Sequence, residues 1–168
     1  LTIDNRGLKY FKNYENLDII RLPSSPLIKK NIFKLLFSVF IISFSILKSL
    51  TFLLLNRPTI VFGMGGYSSF PICIAASMLR IKFVIYENNM IVGKANKYLL
   101  PFAKKIFVSY QDLEGVPDKY NYKIFEIGNI IREEIINSKI ENNQIKKFTN
   151  YKKNTTILAG LKKVFEAI

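Results

Sequence analysis

The sequence predicts an α/β fold built on a parallel sheet with helices on both faces. In the central part of the chain, short apolar and β-branched runs alternate with helix-like runs, a pattern typical of βαβ units. A glycine-rich turn, Gly63–Ser69, joins the strand-like run Thr59–Phe62 to the helix-like run Pro71–Leu79. Two more polar turns, Glu87–Asn89 and Gly128–Asn129, also follow strand-like runs. Because ligands of parallel sheets bind beyond the carboxyl ends of the strands, the three turns predict one binding edge.

The composition narrows the class of partner. The 168 residues include 25 Lys and Arg against 12 Asp and Glu, a net charge of +13, and no His. So basic a chain favours anionic partners, but no recognition helix or zinc pattern accompanies the cations, so we expect no nucleic-acid binding. The lack of His disfavours acid–base catalysis by this chain alone. The single Cys73 rules out an internal disulfide and is predicted to be a buried, inert thiol.

A long apolar helix is predicted over Leu27–Leu55, and its relation to a membrane has three interpretations. Between Leu35 and Leu55 the only charge is Lys48, so the segment is long and apolar enough to span a bilayer. Its lysines and serines share one side of the helical wheel, which favours a helix lying in the membrane interface. A core helix packed on the sheet is the third interpretation. The residues predicted to contact an anionic membrane surface are Lys30, Phe33, Lys34, Phe37, Phe40 and Phe44.

Further elements are predicted on both sides of this helix. Leu1–Ile3 and Leu17–Ile20 are strand-like, and the βαβ arrangement places the second of them in one sheet with Thr59–Phe62. A spanning helix would prevent that pairing. Beyond the glycine turn we expect strands at Lys82–Tyr86, Lys105–Ser109 and Lys123–Ile127, and helices at Lys94–Phe102 and Ile130–Ser138. Residues 139–153 have the composition of a linker, and Thr155–Gly160 is similar to the first strand of a second domain.

The glycine turn has more than one interpretation. Bare backbone N–H groups at a helix N-terminus suit a phosphate or pyrophosphate. Read as G-x-G-x-x-S, with Gly63, Gly65 and Ser68, the turn also resembles a dinucleotide fingerprint, and Glu87 ends the next strand where a ribose-binding acid belongs. An NAD-type Rossmann domain is therefore an alternative. The turn can equally connect strand and helix without any ligand.

Two other candidate groups carry polar side chains. Glu87, Asn88 and Asn89 offer one carboxylate and two amides, which can hydrogen-bond sugar hydroxyls or cap the following helix. Arg132 can clamp a phosphate through two hydrogen bonds or lie solvated on the surface. Taken alone, capping and solvent exposure are the simpler interpretations.

Together these motifs resemble the MurG family. The resemblance rests on Phe62–Pro71, on Ile85–Asn89 with Gly93 and Asn96-Lys97, and on Gly128–Arg132, in that order. It implies one half of a two-domain GT-B glycosyltransferase, which transfers N-acetylglucosamine from UDP-N-acetylglucosamine to lipid I and gives lipid II for peptidoglycan. It also implies a peripheral location on the cytoplasmic side of the inner membrane. Neither a metal nor a cofactor is implied.

The resemblance also implies domains and site residues. Residues 1–138 would form an acceptor-binding domain without its first strand and glycine loop, 139–153 a linker, and 154–168 the start of a donor domain. Asn89 and Arg132 would contact the donor UDP-N-acetylglucosamine, and the acceptor pyrophosphate would lie on Gly65, Gly66, Tyr67 and Ser68.

The chain departs from the family pattern at residues that the family would use in catalysis. Tyr86 and Asn88 stand where the family usually has His and Gln, and the loop after Thr156 is shortened. The family's candidate base, a His on the first glycine loop, has no counterpart here, which leaves Glu87 as the weaker candidate. We therefore expect no transfer by this chain alone, and a non-catalytic, membrane-associated binding remnant is a further alternative.

Overall fold

The computed structural model describes residues 2–3, 20–25, 32–131 and 154–156. They belong to two compact units. The larger unit comprises residues 1–86 and 93–105, and the smaller unit comprises residues 87–92 and 106–168. The described elements are, in chain order, β1 (Thr2–Ile3), β2 (Ile20–Arg21), α1 (Ile32–Asn56), β3 (Ile60–Gly63), α2 (Gly66–Met78), β4 (Lys82–Glu87), α3 (Lys94–Leu99), β5 (Lys105–Val108), a 3-10 helix (Asp118–Lys123), β6 (Ile124–Glu126), β7 (Asn129–Ile131) and β8 (Asn154–Thr156).

A four-stranded parallel sheet in the order β3-β4-β5-β6 confirms the predicted α/β architecture. Strand β3 pairs with β4 from Ile60 with Lys82 to Gly63 with Ile85. Every residue from Phe83 to Glu87 is buried, so both faces of β4 are covered, as in the inner strand of a parallel sheet. Strand β6 has only intermediate and exposed residues, as expected of an edge strand.

Helix α1 buries three of its four serines and exposes most of its large apolar side chains. Ser38, Ser45 and Ser49 are fully buried, and the Oγ of Ser45 donates a hydrogen bond to the Pro23 carbonyl oxygen at 2.7 Å. The Nζ of Lys48 donates to the Arg21 carbonyl oxygen at 2.9 Å. Because serine is small, this face lets α1 approach its neighbours closely, and α1 packs on α2.

Helix α2 begins at Gly66, five residues before the predicted start at Pro71. Gly66 has φ +73°, so the chain turns into the helix immediately after Gly65. The Oγ of Ser69 donates to the Gly65 carbonyl oxygen at 2.8 Å and supports the first turn. Pro71 therefore lies inside the helix, where it supplies no N–H to the preceding turn.

The N-terminal strands pair with each other. Strand β1 pairs in parallel with β2, Thr2 opposite Ile20 and Ile3 opposite Arg21, in a separate two-stranded sheet. The prediction that the strand before α1 shares a sheet with β3 was therefore wrong. The backbone of β2 is instead paired with that of β1.

In the smaller unit the observed secondary structure differs from two more predictions. Ile130 and Ile131 were predicted to open a helix, but they belong to β7, which pairs in parallel with β8. This pairing satisfies the backbone of an Ile-rich segment that periodicity alone could not assign. The strand expected at Thr155–Gly160 is observed at Asn154–Thr156, and residues 132–153 lie outside the described part.

Helix α3 is shorter than predicted. It ends at Leu99 instead of Phe102 because Pro101 has no N–H with which to continue the ladder.

Packing between β3 and α2 gives a double-mutant test. A Cβ on Gly63 would lie 2.7 Å from the Sγ of Cys73, so Gly63→Ala should destabilise the fold by about 1–3 kcal/mol. Cys73→Ala removes the obstructing sulfur. The double variant should therefore be more stable than the sum of the two single effects predicts, by about 1 kcal/mol, measured by urea unfolding.

The matched control combines Gly63→Ala with Met78→Ala, an exposed position on the same helix. That pair should be additive. If the effects of Gly63→Ala and Cys73→Ala on the free energy of unfolding were additive as well, there would be no steric conflict between positions 63 and 73.

Candidate functional site

The glycine turn lies at the carboxyl end of β3, at the predicted position. Gly65 and Gly66 both have positive φ, +78° and +73°, in the region that side-chain-bearing residues rarely adopt. The turn therefore depends on glycine at two consecutive positions, the second of which is the first residue of α2.

Gly65 is also held by close neighbours within the larger unit. A Cβ on Gly65 would lie 3.2 Å from the Tyr86 carbonyl oxygen and 3.3 Å from the Asn96 Nδ2. That Nδ2 donates to the same carbonyl oxygen at 3.1 Å. Asn96 is buried on α3, so the side chain of one helix fixes the end of β4 against the start of another.

Gly66 has the opposite environment. A Cβ added there would meet no atom within 4 Å, so the backbone at the start of α2 borders open space. The first turn of a helix carries N–H groups without intrahelical partners and the positive end of the helix dipole. The geometry thus combines an accessible backbone with a local preference for an anion.

A second polar cluster lies in the smaller unit. Glu87 is only 4% exposed, and its Oε1 accepts hydrogen bonds from the Asn89 backbone N–H at 3.2 Å and from Asn89 Nδ2 at 2.8 Å. Asn88 Oδ1 accepts from the Ser109 Oγ at 2.7 Å. The Ser109 N–H donates to the Glu87 carbonyl oxygen at 3.1 Å. The carboxylate therefore orders its own loop.

The loop after Glu87 is also held by backbone hydrogen bonds at its other end, near Val92. The Val92 N–H donates to the Glu114 carbonyl oxygen at 2.9 Å, and the Glu114 N–H donates to the Met90 carbonyl oxygen at 2.8 Å. Gly115 follows with φ +80°. Two anchored ends hold the exposed Asn88 and Asn89 in one local arrangement.

The alternative that Glu87–Asn89 cap the next helix is not what the structure shows. Helix α3 begins at Lys94 after Gly93, and its N-cap has no side-chain hydrogen bond. The Glu87 side chain bonds two residues ahead in its own loop.

Among the other predicted site residues, Tyr67 and Ser68 are half-buried in the first turn of α2. Lys30 and Arg132 lie outside the described residues. The phenylalanines predicted to face a membrane are exposed: Phe33 77%, Phe37 62%, Phe40 70% and Phe44 54%.

Sequence reasoning gave no role to two residues that organise these clusters, Asn96 and Ser109. Both are buried polar residues. The signal for Ser109 was its place directly after the buried strand β5, where the other polar turns also lie. Asn96 stood out only as part of the family resemblance, and its contact could not be predicted because its partner is a backbone carbonyl ten residues away.

Cys73 is fully buried, as predicted. Burial raises the pKa of its thiol from 9.0 to about 12. The thiol therefore stays protonated at neutral pH and is a packing residue, not a nucleophile.

The parallel sheet and the glycine turn define a Rossmann-like α/β unit, the fold of one half of a GT-B structure. The solved structure of MurG from Acinetobacter baumannii matches with a TM-score of 0.56 and 20% identity, over 76% of this chain and 34% of that one. Residues 3–108 match the glycosyltransferase family 28 N-terminal domain. The chain belongs to that family, which sets aside the NAD-type alternative.

Two curated relatives carry the name UDP-N-acetylglucosamine–N-acetylmuramyl-(pentapeptide) pyrophosphoryl-undecaprenol N-acetylglucosamine transferase. The protein from Pelagibacter ubique (strain HTCC1062) is 32% identical over 146 residues, which are 86% of this chain and 40% of that protein. The one from Rickettsia felis is 39% identical over 109 residues, 63% of this chain and 30% of that protein. The chain thus spans well under half the length of these relatives.

The Glu87 contacts predict a local change in the loop. Glu87→Ala removes the acceptor for the Asn89 N–H, so hydrogen exchange of that amide should accelerate by about tenfold. Glu87→Gln keeps a carbonyl acceptor and should have a smaller effect. NMR-detected exchange of the Asn89 amide measures both.

The matched control is Glu126→Ala, which removes an exposed carboxylate on β6. It should leave the Asn89 amide unchanged. Equal exchange rates in the wild type and Glu87→Ala would show that the carboxylate does not order the loop.

Proposed function

We propose that this chain is the acceptor-binding half of an N-acetylglucosaminyltransferase that acts on lipid I at an anionic membrane. The observation that carries the proposal is the glycine turn, where Gly65 and Gly66 both have positive φ and Gly66 borders open space at the start of α2. Membership in the glycosyltransferase family 28 and the names of the relatives supply the substrate class.

The pyrophosphate of lipid I suits the glycine turn electrostatically. The start of α2 is the positive end of a 13-residue helix, and the approach over Gly66 is not obstructed by a side chain of its own. Gly65, Tyr67 and Ser68 complete the proposed phosphate loop. No Asp or Glu occurs in the described part of the larger unit, so nothing acidic in it opposes a diphosphate.

The proposed reaction is an inverting transfer. The 4-hydroxyl of the acceptor sugar attacks the anomeric carbon of UDP-N-acetylglucosamine, the glycosidic bond forms, and UDP leaves as its bond to that carbon breaks. The step needs a base for the hydroxyl proton and stabilisation of the departing diphosphate. We assign Asn89 and Arg132 to the donor sugar nucleotide.

Glu87 is less suited to the role of base than to that of a loop organiser. Its Oε1 already accepts two hydrogen bonds from Asn89, and the side chain is buried. The chain also has no His. We therefore propose that turnover requires a base and a donor-binding domain in addition to the residues of this chain.

The larger unit has the charge expected of a surface that docks on anionic lipid. Its described residues include ten cations and no carboxylate: Arg21, Lys34, Lys48, Arg57, Arg80, Lys82, Lys94, Lys97, Lys104 and Lys105. The described part of the smaller unit has five carboxylates and two lysines. Each Lys or Arg near an anionic bilayer contributes about 1 kcal/mol to binding.

Helix α1 supplies the apolar part of the proposed docking surface. It is 25 residues long, roughly 38 Å at 1.5 Å per residue, and it is the one described helix long and apolar enough to cross a bilayer. Its serine face is hydrogen-bonded to the segment after β2 and packed in the protein. This one-sided packing favours a helix that lies in the interface with its phenylalanines in the acyl boundary.

Binding to lipid I tests the acceptor site. Gly66→Ala forces a side-chain-bearing residue to φ +73° and places a methyl group in the open space, so it should weaken binding to liposomes that contain lipid I by about tenfold or more. Binding to plain anionic liposomes should not change. Co-sedimentation with both kinds of liposome measures the difference.

Gly115→Ala is the matched control, because Gly115 also has positive φ but lies in the smaller unit. It carries a similar backbone cost and should leave lipid I binding intact. If lipid I does not increase binding of the wild type over plain anionic liposomes, the acceptor assignment is wrong.

Membrane docking has its own test. Phe37→Ser and Phe40→Ser should each weaken binding to anionic vesicles by about tenfold, because each removes about 1–2 kcal/mol of apolar burial. Tyr122→Ser, an equally exposed aromatic in the smaller unit, should have little effect. Vesicle flotation measures binding, and equal losses at all three positions would contradict docking through α1.

The whole reaction is tested by transfer of labelled N-acetylglucosamine to lipid I. The chain supplemented with both the first glycine loop segment and the donor domain of a family member should form product that none of these parts forms alone. Lipid I binding without any product would instead identify a non-catalytic binding remnant.

A further inference from the structure

The amino-end edge of the main sheet carries exposed cations that the glycine turn does not use. Parallel strands all begin at one edge, and Ile60 at the start of β3 is paired with Lys82 at the start of β4. Arg57 and Arg80 stand just before these two strands, and both are exposed, as is Lys82. The three cations form what we call the basic edge. It lies at the opposite end of the strands from the glycine turn, which follows β3.

Both arginines have backbone conformations that favour glycine. Arg57 directly follows α1 with φ +35°, and Arg80 follows the end of α2 with φ +56°. The Arg80 N–H donates to the Ser77 carbonyl oxygen at 3.1 Å and closes the last turn of α2. Neither helix has a basic residue in its last turn, where a cation would favour the helix dipole without this strain. Helix capping therefore does not account for arginine at both positions, which indicates a role for the guanidinium groups themselves.

A small apolar pocket opens beside Arg57. Its volume is about 140 Å³ and it is partly enclosed; it is lined by Leu53, Leu54, Arg57, Leu79 and Ile81. That volume is smaller than the roughly 300 Å³ at which sites for drug-sized ligands begin, so the pocket suits a single branched aliphatic side chain. It is too small for the hydrocarbon chain of a lipid, and its lining has no aromatic ring on which a nucleobase would stack.

We propose that the basic edge docks an acidic peptide segment of a partner protein, with one leucine side chain in the pocket and flanking carboxylates on Arg57 and Arg80. A guanidinium group bonds a carboxylate through two parallel N–H donors, which gives direction as well as charge. Neighbouring strands lie about 4.8 Å apart, so one short extended segment reaches the starts of both β3 and β4. The described part of the larger unit has no carboxylate to repel it.

A labelled peptide tests the docking in solution, without lipid. Fluorescein-labelled Glu-Glu-Leu-Glu-Glu should bind the full chain saturably, at one peptide per chain, as measured by fluorescence anisotropy. Replacing its leucine by alanine, or its glutamates by glutamine, should each weaken binding by at least about tenfold. Gly66→Ala, at the opposite edge, should leave peptide binding unchanged. Failure of the docking is therefore distinguishable from failure of the acceptor site.

Arg80→Gly separates docking from a structural role of the arginine. Glycine adopts φ +56° without strain, and this gain offsets its greater freedom in the unfolded chain, so the urea midpoint should stay about the same. Peptide binding should nevertheless weaken by about tenfold, because a guanidinium contact is lost. The matched control is Lys94→Gln, which removes one exposed charge at the start of α3 and should weaken binding by less than twofold.

Three results would overturn the proposal. Equal losses for Arg80→Gly and Lys94→Gln, or equal affinity for the leucine and alanine peptides, would show diffuse attraction to a cationic chain. Tighter binding of an oligothymidylate with the same net charge as the peptide would identify a nucleic-acid surface instead.

Discussion

The packing of the glycine turn against its neighbours is the constraint on which the rest of the larger unit depends. Gly63 has room for no Cβ beside Cys73, and Gly65 lies against the Tyr86 carbonyl oxygen that Asn96 also binds. At this point two strands and two helices, β3, β4, α2 and α3, pack so closely that only glycine fits. Gly66, directly after this crowded point, has open space. The turn is thus tightly packed on one side and open on the other, which suits the anion binding proposed for it.

Helix α1 reverses the usual arrangement of a surface helix. An amphipathic helix normally buries its apolar stripe, but here three of the four serines are buried and most large apolar residues are exposed. The buried serines are satisfied locally: Ser38 and Ser49 donate to carbonyls four residues back, and Ser45 donates to Pro23. The polar face is thus compatible with burial, and the exposed face is left for an apolar partner.

The alternation of strands and helices was readable from the sequence because inner parallel strands such as Phe83–Tyr86 are continuous apolar runs between turn residues. Contacts over long sequence separations were not readable. Nothing local shows that Ser109 bonds Asn88 or that Ile130 pairs with Thr155. The helix start at Gly66 was not predicted, because proline is common in the first turn of a helix and Pro71 therefore gave the stronger sequence signal. The positive φ of Gly66 is visible only in the structure. The glycine turn was predicted because its residues and spacing are local.

The polar cluster around Glu87 orders its own loop, and this bears on which group could act as the base in the proposed reaction. The carboxylate is held between two donors of Asn89, so its effect is to fix the direction in which that amide points. The Oε1 that would have to meet a substrate hydroxyl is already engaged by these two donors, and the side chain is buried. The same contacts that order the loop therefore disfavour Glu87 as the base. In the proposed reaction this chain holds and orients the acceptor, and proton removal falls to a group that is not among the residues of this chain.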